Sequence, residues 1–191
     1  KENCMNPTIF RDIFDSDSVV HAMIATSESE DDLGCILRLH LISETYLEAY
    51  ISSALGHPEL FSDTPPDGVS LQMNYASKAQ LAFKLGLHIN AYKALVLINK
   101  VRNKAAHRIN NELITSDLLN NLKNYAHNIG IRSPNELNGH GAKFYNDDET
   151  LRVSYPFSSE QTPNRVKLMI ILSAIFTWAA EDANILVTSP V

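Results

Sequence analysis

Apolar positions recur along this 191-residue chain at helical spacing and do not sustain the alternation of a strand-rich fold. Ile9, Phe10, Ile13, Phe14, Val19, Val20, Met23 and Ile24 fall in pairs three to four apart. They predict a first helix over Thr8–Thr26, entered after Pro7, or two short helices if Asp15–Ser18 interrupts it. The acidic run SESEDD at 27–32 offers Ser27 or Ser29 as an N-cap, with acids where a helix dipole favours them. Beyond it, a long helix over about Glu30–Leu55 carries Leu33, Ile36, Leu37, Leu39, Leu41, Ile42, Tyr46, Leu47, Tyr50 and Ile51 around most of its circumference. A helix patterned that way is contacted on several sides.

Gly56–Asn74, with Pro58, Pro65, Pro66 and Gly68, reads as a loop long enough to be functional, for instance by covering a cleft. Tyr75–Leu85 is a short helix closed by Gly86, and Asn90 is placed to cap a helix over Ala91–Asn110. Thr115–Asn128 follows, capped by Thr115 or Ser116 and stopped at Gly130. Between Arg132 and Pro163 the chain is rich in Asn, Gly, Ser, Pro and Asp; Lys143–Tyr145 and Leu151–Tyr155 alternate around Asp147–Asp148 as a small hairpin would. A final helix spans Thr162–Asp182, with Thr162 as cap and Pro163 first. Its apolar run, Leu168–Ala180 with Phe176 and Trp178, is too short to cross a membrane and reads as core. The expected fold is all-α: a single-domain bundle of five to six helices with its core over 31–128, a C-terminal extension ending in the 162–182 helix, and a small β-hairpin between the last two helices.

Composition changes this picture little, since 45% hydrophobic and 20% charged residues are ordinary for a soluble domain. The first ten residues hold no apolar core of signal-peptide length, so a cytoplasmic location is expected. Lys1 in place of an initiator Met leaves room for a missing N-terminal part. Cys4 and Cys35 are too far apart for a metal-ligand pair and read as reduced thiols. No GxSxG, Walker loop, HExxH or Cys/His cluster is present, so neither metal nor cofactor is implied. Gly139-His140-Gly141 reads as a turn.

Charge changes it more. The net charge of −6 argues against general coating of nucleic acid. Yet no Asp or Glu lies between Asp67 and Glu112, where Lys78, Lys84, Lys93, Lys100, Arg102, Lys104 and Arg108 gather seven of the sixteen cations. The helix AYKALVLINKVRNKAAHRIN at 91–110 crosses this window. At 100° per residue His107 stands one turn above Asn103, with Arg102 about 140° away from it. Asn103 is thus placed to orient an imidazole, Arg102 to hold a phosphate, and Lys100, Lys104 and Arg108 to steer one. His40 and Glu44, four apart on the long helix, read either as a mutually satisfied polar pair or as support behind this motif. Arg, Asn and His together suit metal-free RNA cleavage: a base on the 2′-hydroxyl, a cation on the crowded phosphate, an acid on the leaving oxygen. One histidine serves poorly as both base and acid, so a symmetric dimer that supplies two is expected.

The run SKAQLAFKLGLHINAYKALVLINKVRNKAAH at 77–107 resembles the core of HEPN-type domains, which carry Arg, four to six residues, then His. DDLGCILRLHLISETYLEAYI at 31–51 is similar to the first long helix of the bacterial HEPN-like group that includes the mannitol-operon repressor. The resemblance covers about Asp31–Asn110. It implies a helical bundle that dimerises through the motif helices and a metal-independent ribonuclease of the toxin or phage-defence type, with an antitoxin protein as a possible partner. By position it makes Arg102 the phosphate-stabilising cation, His107 the catalytic histidine and Asn103 the polar partner. The chain departs from the pattern at Ala105, where relatives often carry a bulkier apolar residue. The alternative is a non-catalytic regulatory or interaction module akin to the mannitol repressor, in which Arg102 and His107 knit a dimer or bind a partner. In another alternative the cationic site takes a nucleotide or a small phosphorylated ligand, and in a further one the N-terminal acids cover the basic window of a partner protomer. Sequence-specific DNA reading is not expected.

Overall fold

The computed structural model describes residues 5–27, 31–105, 113–133, 135–146 and 148–185. These form seven helices and one two-stranded antiparallel sheet, more helices than the five to six expected. The additional helix comes from the N-terminus, where α1 (Pro7–Phe14) and α2 (Asp17–Ser27) follow the two-helix alternative, broken at Asp15–Ser16, in place of one helix over Thr8–Thr26. The cause is local: the Ser16 hydroxyl donates to the Ile13 carbonyl at 3.0 Å, taking an acceptor that a continuing helix would give to a backbone amide. Asn6 caps α1, its Oδ1 accepting from the Thr8 and Ile9 amides at 3.1 and 3.3 Å.

The long helix, α3 (Asp32–Leu55), is capped by Asp31 rather than by a serine, with Asp31 Oδ1 accepting from the Gly34 amide at 2.6 Å. Ser27 ends α2 instead, and Ser29 and Glu30 lie outside the described residues. As its pattern requires, α3 packs against α1, α2, α4 (Tyr75–Lys84), α5 (Ile89–Ala105) and α7 (Asn164–Asp182). Leu33, Leu37 and Leu41 depart from that pattern, forming an exposed stripe four residues apart. Every helix feeds one buried apolar cluster, in which Phe10, Phe14, Tyr46 and Phe176 meet edge-on or stacked. Cys35 lies inside it as a free thiol, pushed up to about 12 by burial and then by Asp32, whereas Cys4 is outside the described residues.

Two further expected caps fail for physical reasons. α5 begins at Ile89, so Asn90 lies inside its first turn; His88 Nδ1 accepts from the Asn90 amide while the Asn90 side chain donates to the Asn128 carbonyl. Thr162 leaves the start of α7 uncapped because its hydroxyl donates to the Pro156 carbonyl at 2.6 Å, and the helix starts one residue beyond Pro163. Thr115 does cap α6 (Ser116–His127), accepting from the Leu118 amide at 3.2 Å. Gly86 and Gly130 take the positive φ angles, +110° and +65°, that follow α4 and α6.

The hairpin pairs β1 (Gly141–Tyr145) with β2 (Leu151–Pro156), close to the predicted segments. Only glycine fits at 141, where an added Cβ would lie 2.9 Å from the Tyr155 carbonyl oxygen. A short 3-10 turn at Glu136–Gly139 leads into β1 and ends at His140, whose ring meets Trp178 edge-on. Arg132 holds this region to α7, pairing with Glu181 and lying over the Trp178 ring. Trp178 and Phe176 are buried core, as the spacing predicted. Among the described residues no helix is long and apolar enough to cross a membrane.

Candidate functional site

The acid-free window occupies α4 and α5, which pack side by side against α3. Toward its C-terminal end α5 presents Asn99, Arg102 and Asn103, and these face His40 and Glu44 of α3 and Tyr75 of α4 across a polar depression of about 370 Å³. The Arg102 guanidinium donates to Asn103 Oδ1 at 3.0 Å. That bond leaves the Asn103 amide NH₂ as the group free to face a further partner, so it would meet an imidazole nitrogen that carries no proton.

His40 forms the inner wall. It is 6% exposed, stacks on Tyr75 with ring centroids 4.3 Å apart, and its Nε2 lies 3.1 Å from Asn99 Oδ1. Tyr75 is fixed in turn, its hydroxyl 2.8 Å from Ser43 Oγ and donating to the Leu95 carbonyl. Burial holds the His40 imidazole below its ordinary range, against the smaller upward pulls of the Asn99 bond and Glu44. A neutral ring whose Nε2 proton goes to Asn99 follows. Asn99 was missed from sequence, although Asn99, Asn103 and His107 stand four apart and mark one helical face.

His40 and Glu44 do not bond to one another as the mutual-pair expectation had it. Glu44 and Glu48 instead both accept from the Lys78 ammonium, at 2.7 and 2.5 Å. Lys78 is therefore buried and neutralised, and leaves the cationic surface on which the sequence counted it. Burial pulls its pKa down, but the bonds from Glu44 and Glu48 outweigh that and hold it above the usual range.

Lys93, Lys100 and Lys104 are exposed on α5 and fall on one face beside Asn103. Neither Lys100 nor Lys104 lines the depression itself. Ala105, where the resemblance leads to the expectation of a bulkier apolar residue, is buried at 3% exposure. His107 and Arg108 lie outside the described residues, and with them the expected Asn103–His107 contact. The chain is described again from Leu113, where the Leu113 and Ile114 amides both donate to Asp32 Oδ2 at 3.1 Å and so anchor it to the start of α3. The Pro65–Pro66 loop lines a different cleft, with His57, Leu60, Val69 and Leu71, and does not cover this one. Among the described residues no three His, Cys, Asp or Glu side chains are grouped to hold a metal ion.

No family model matches the chain, and neither does any curated protein or solved structure.

Proposed function

We propose that the chain is a HEPN-type, metal-independent endoribonuclease that works as a homodimer. The observation that carries this is the Arg102–Asn103 pair on the last turn of an acid-free helix, beside a polar depression with a neutral imidazole in its wall. Arg102 takes the scissile phosphate in its fork and Asn103 fixes that fork. His107 removes the 2′-hydroxyl proton, and the partner protomer's copy of the same histidine protonates the 5′-oxygen. His40 and Asn99 hold the wall of the depression, and Lys100, Lys104 and Arg108 draw the RNA backbone toward it. The exposed stripe of Leu33, Leu37 and Leu41 runs along α3 on the same side as His40 and Glu44, which favours burial of that face against a second copy. The cytoplasm is the compartment that suits an RNA substrate, and an antitoxin protein is a partner that would restrain a toxin of this kind.

The mechanism has a chemical signature. RNA cut in EDTA should carry a 2′,3′-cyclic phosphate at the new 3′ end and a 5′-hydroxyl at the other, and a 2′-deoxy substitution at the cut site should block cleavage there. Cleavage through the 2′-deoxy position would overturn the assignment. A second reading, a non-catalytic regulatory or interaction module, draws on the internal bonding of the site: His40 to Asn99, Arg102 to Asn103, Glu44 to Lys78. On that reading Arg102→Ala changes oligomeric state or partner binding in size-exclusion chromatography, and the wild type cuts no RNA.

A further inference from the structure

A second polar cavity, of about 390 Å³, opens between α6, α7 and the chain that follows β2. It shares no lining residue with the depression around Arg102. Lys123 of α6 and Lys167 of α7 both line it, both half-buried, and no Asp or Glu does, in a chain of 22 acids. Neither lysine forms a salt bridge among the described residues, where Lys78 and Arg132 are the cations that do. Asn120, Ser116 and Ser158 add amide and hydroxyl donors that make no other side-chain hydrogen bond among the described residues. Phe157 is buried beneath, with the Lys123 ammonium 5.8 Å from its ring centroid.

Half-buried ammonium groups that no carboxylate pairs keep water as their partner, and an anion entering an acid-free cavity can replace that water and pair with both. Two of them, with several neutral donors around, match a dianion with several oxygens better than a single carboxylate, which would leave one lysine unpaired. A phosphate monoester carries up to about two negative charges at neutral pH. The phenyl ring with Leu119 and Ile171 gives its carbon skeleton an apolar floor, and the volume is within the range of small-molecule sites. We propose that this cavity binds a phosphate monoester, held by Lys123 and Lys167 over Phe157. The monoester is either a free phosphorylated small molecule or the terminal phosphate of an RNA strand.

The test is a titration of the full chain at low salt, followed by calorimetry, with inorganic phosphate, adenosine 5′-monophosphate, adenosine, and one short 2′-O-methyl oligoribonucleotide, which has no 2′-hydroxyl to attack its phosphates, bearing either a 5′-phosphate or a 5′-hydroxyl. The wild type should bind the phosphate probes saturably and adenosine not at all. Lys123→Gln, Lys167→Gln and the double variant, each checked for a native circular-dichroism spectrum, should bind the monophosphate more weakly, by about tenfold or more in the double variant. Lys143→Gln, on exposed β1, should leave binding unchanged. Preference for the 5′-phosphorylated over the 5′-hydroxyl strand assigns the site to an RNA end; binding of the mononucleotide alone assigns it to a small molecule. Adenosine binding as tightly as its monophosphate, unaltered affinity in all three lysine variants, an equal loss in Lys143→Gln, or no binding of any phosphate probe would each overturn the proposal. None of these outcomes depends on whether the protein cuts RNA.

Discussion

His40 sits against Tyr75 with its Nε2 on Asn99, and burial keeps it neutral. Because its folded pKa lies below the ordinary 6.5, the unfolded chain takes up the proton first as the pH falls. Its contribution to stability is therefore complete above about pH 6.5 and is lost as the pH drops through that value toward the folded pKa. His40→Gln should flatten the fall in urea-denaturation stability between about pH 7 and pH 5 relative to the wild type. Part of the slope should persist, since His127 is also lowered, by burial and then by Lys123. An unchanged slope would contradict the neutral imidazole. Lys78 makes the complementary case: Lys78→Met leaves Glu44 and Glu48 facing each other without their cation and should cost roughly 3 kcal/mol by chemical denaturation. A cost below about 0.5 kcal/mol would place Lys78 with ordinary surface lysines. At this scale the sequence was half legible. Arg102, Asn103 and His40 were visible as types at helical spacing, and the spacing of Asn99 from Asn103 marked its face, but the Asn99 bond to His40 and the Lys78 pairing depend on contacts across 59 and 34 residues that no local pattern encodes.

Helices were legible because burial against a shared core imposes the 3.6-residue period, and α3, α6 and α7 begin and end within about two residues of the predicted bounds. Their caps were less legible. A capping side chain competes for partners that the sequence does not reveal: Thr162 is drawn to Pro156, Asn90 to Asn128, and Ser16 to Ile13, where it divides the first helix. The hairpin shows the opposite case, in which alternation around Asp147–Asp148 located the strands but not the close approach at Gly141. Gly141→Ala should force β1 away from β2, because the obstruction at 2.9 Å is backbone and cannot rotate aside. Hydrogen exchange should then accelerate in Gly141–Tyr145 and Leu151–Pro156 while α7 stays protected. Equal protection in the hairpin of variant and wild type would contradict the packing at that crossing.

For the molecule as a whole, α5 carries Lys93, Lys100, Arg102 and Lys104 with no acid among them, and α3 presents an apolar stripe on the side of His40 and Glu44. That stripe was hidden in the sequence because Leu33, Leu37 and Leu41 are of the same type as the buried leucines around them, and only the packing of neighbours separates the two sets. If a second copy covers it, Leu37→Glu with Leu41→Glu should convert a dimer to a monomer in light scattering and remove RNA cleavage together with the dimer. A dimer that persists through both substitutions would move the interface elsewhere. The central claim is metal-free cleavage by Arg102 and His107, and the most direct measurement is the single-turnover rate on single-stranded RNA in EDTA for the wild type, His107→Ala and Arg102→Ala. The wild type should cut, and each variant should lose about a hundredfold or more of that rate. Cutting at the wild-type rate by both variants would contradict the claim.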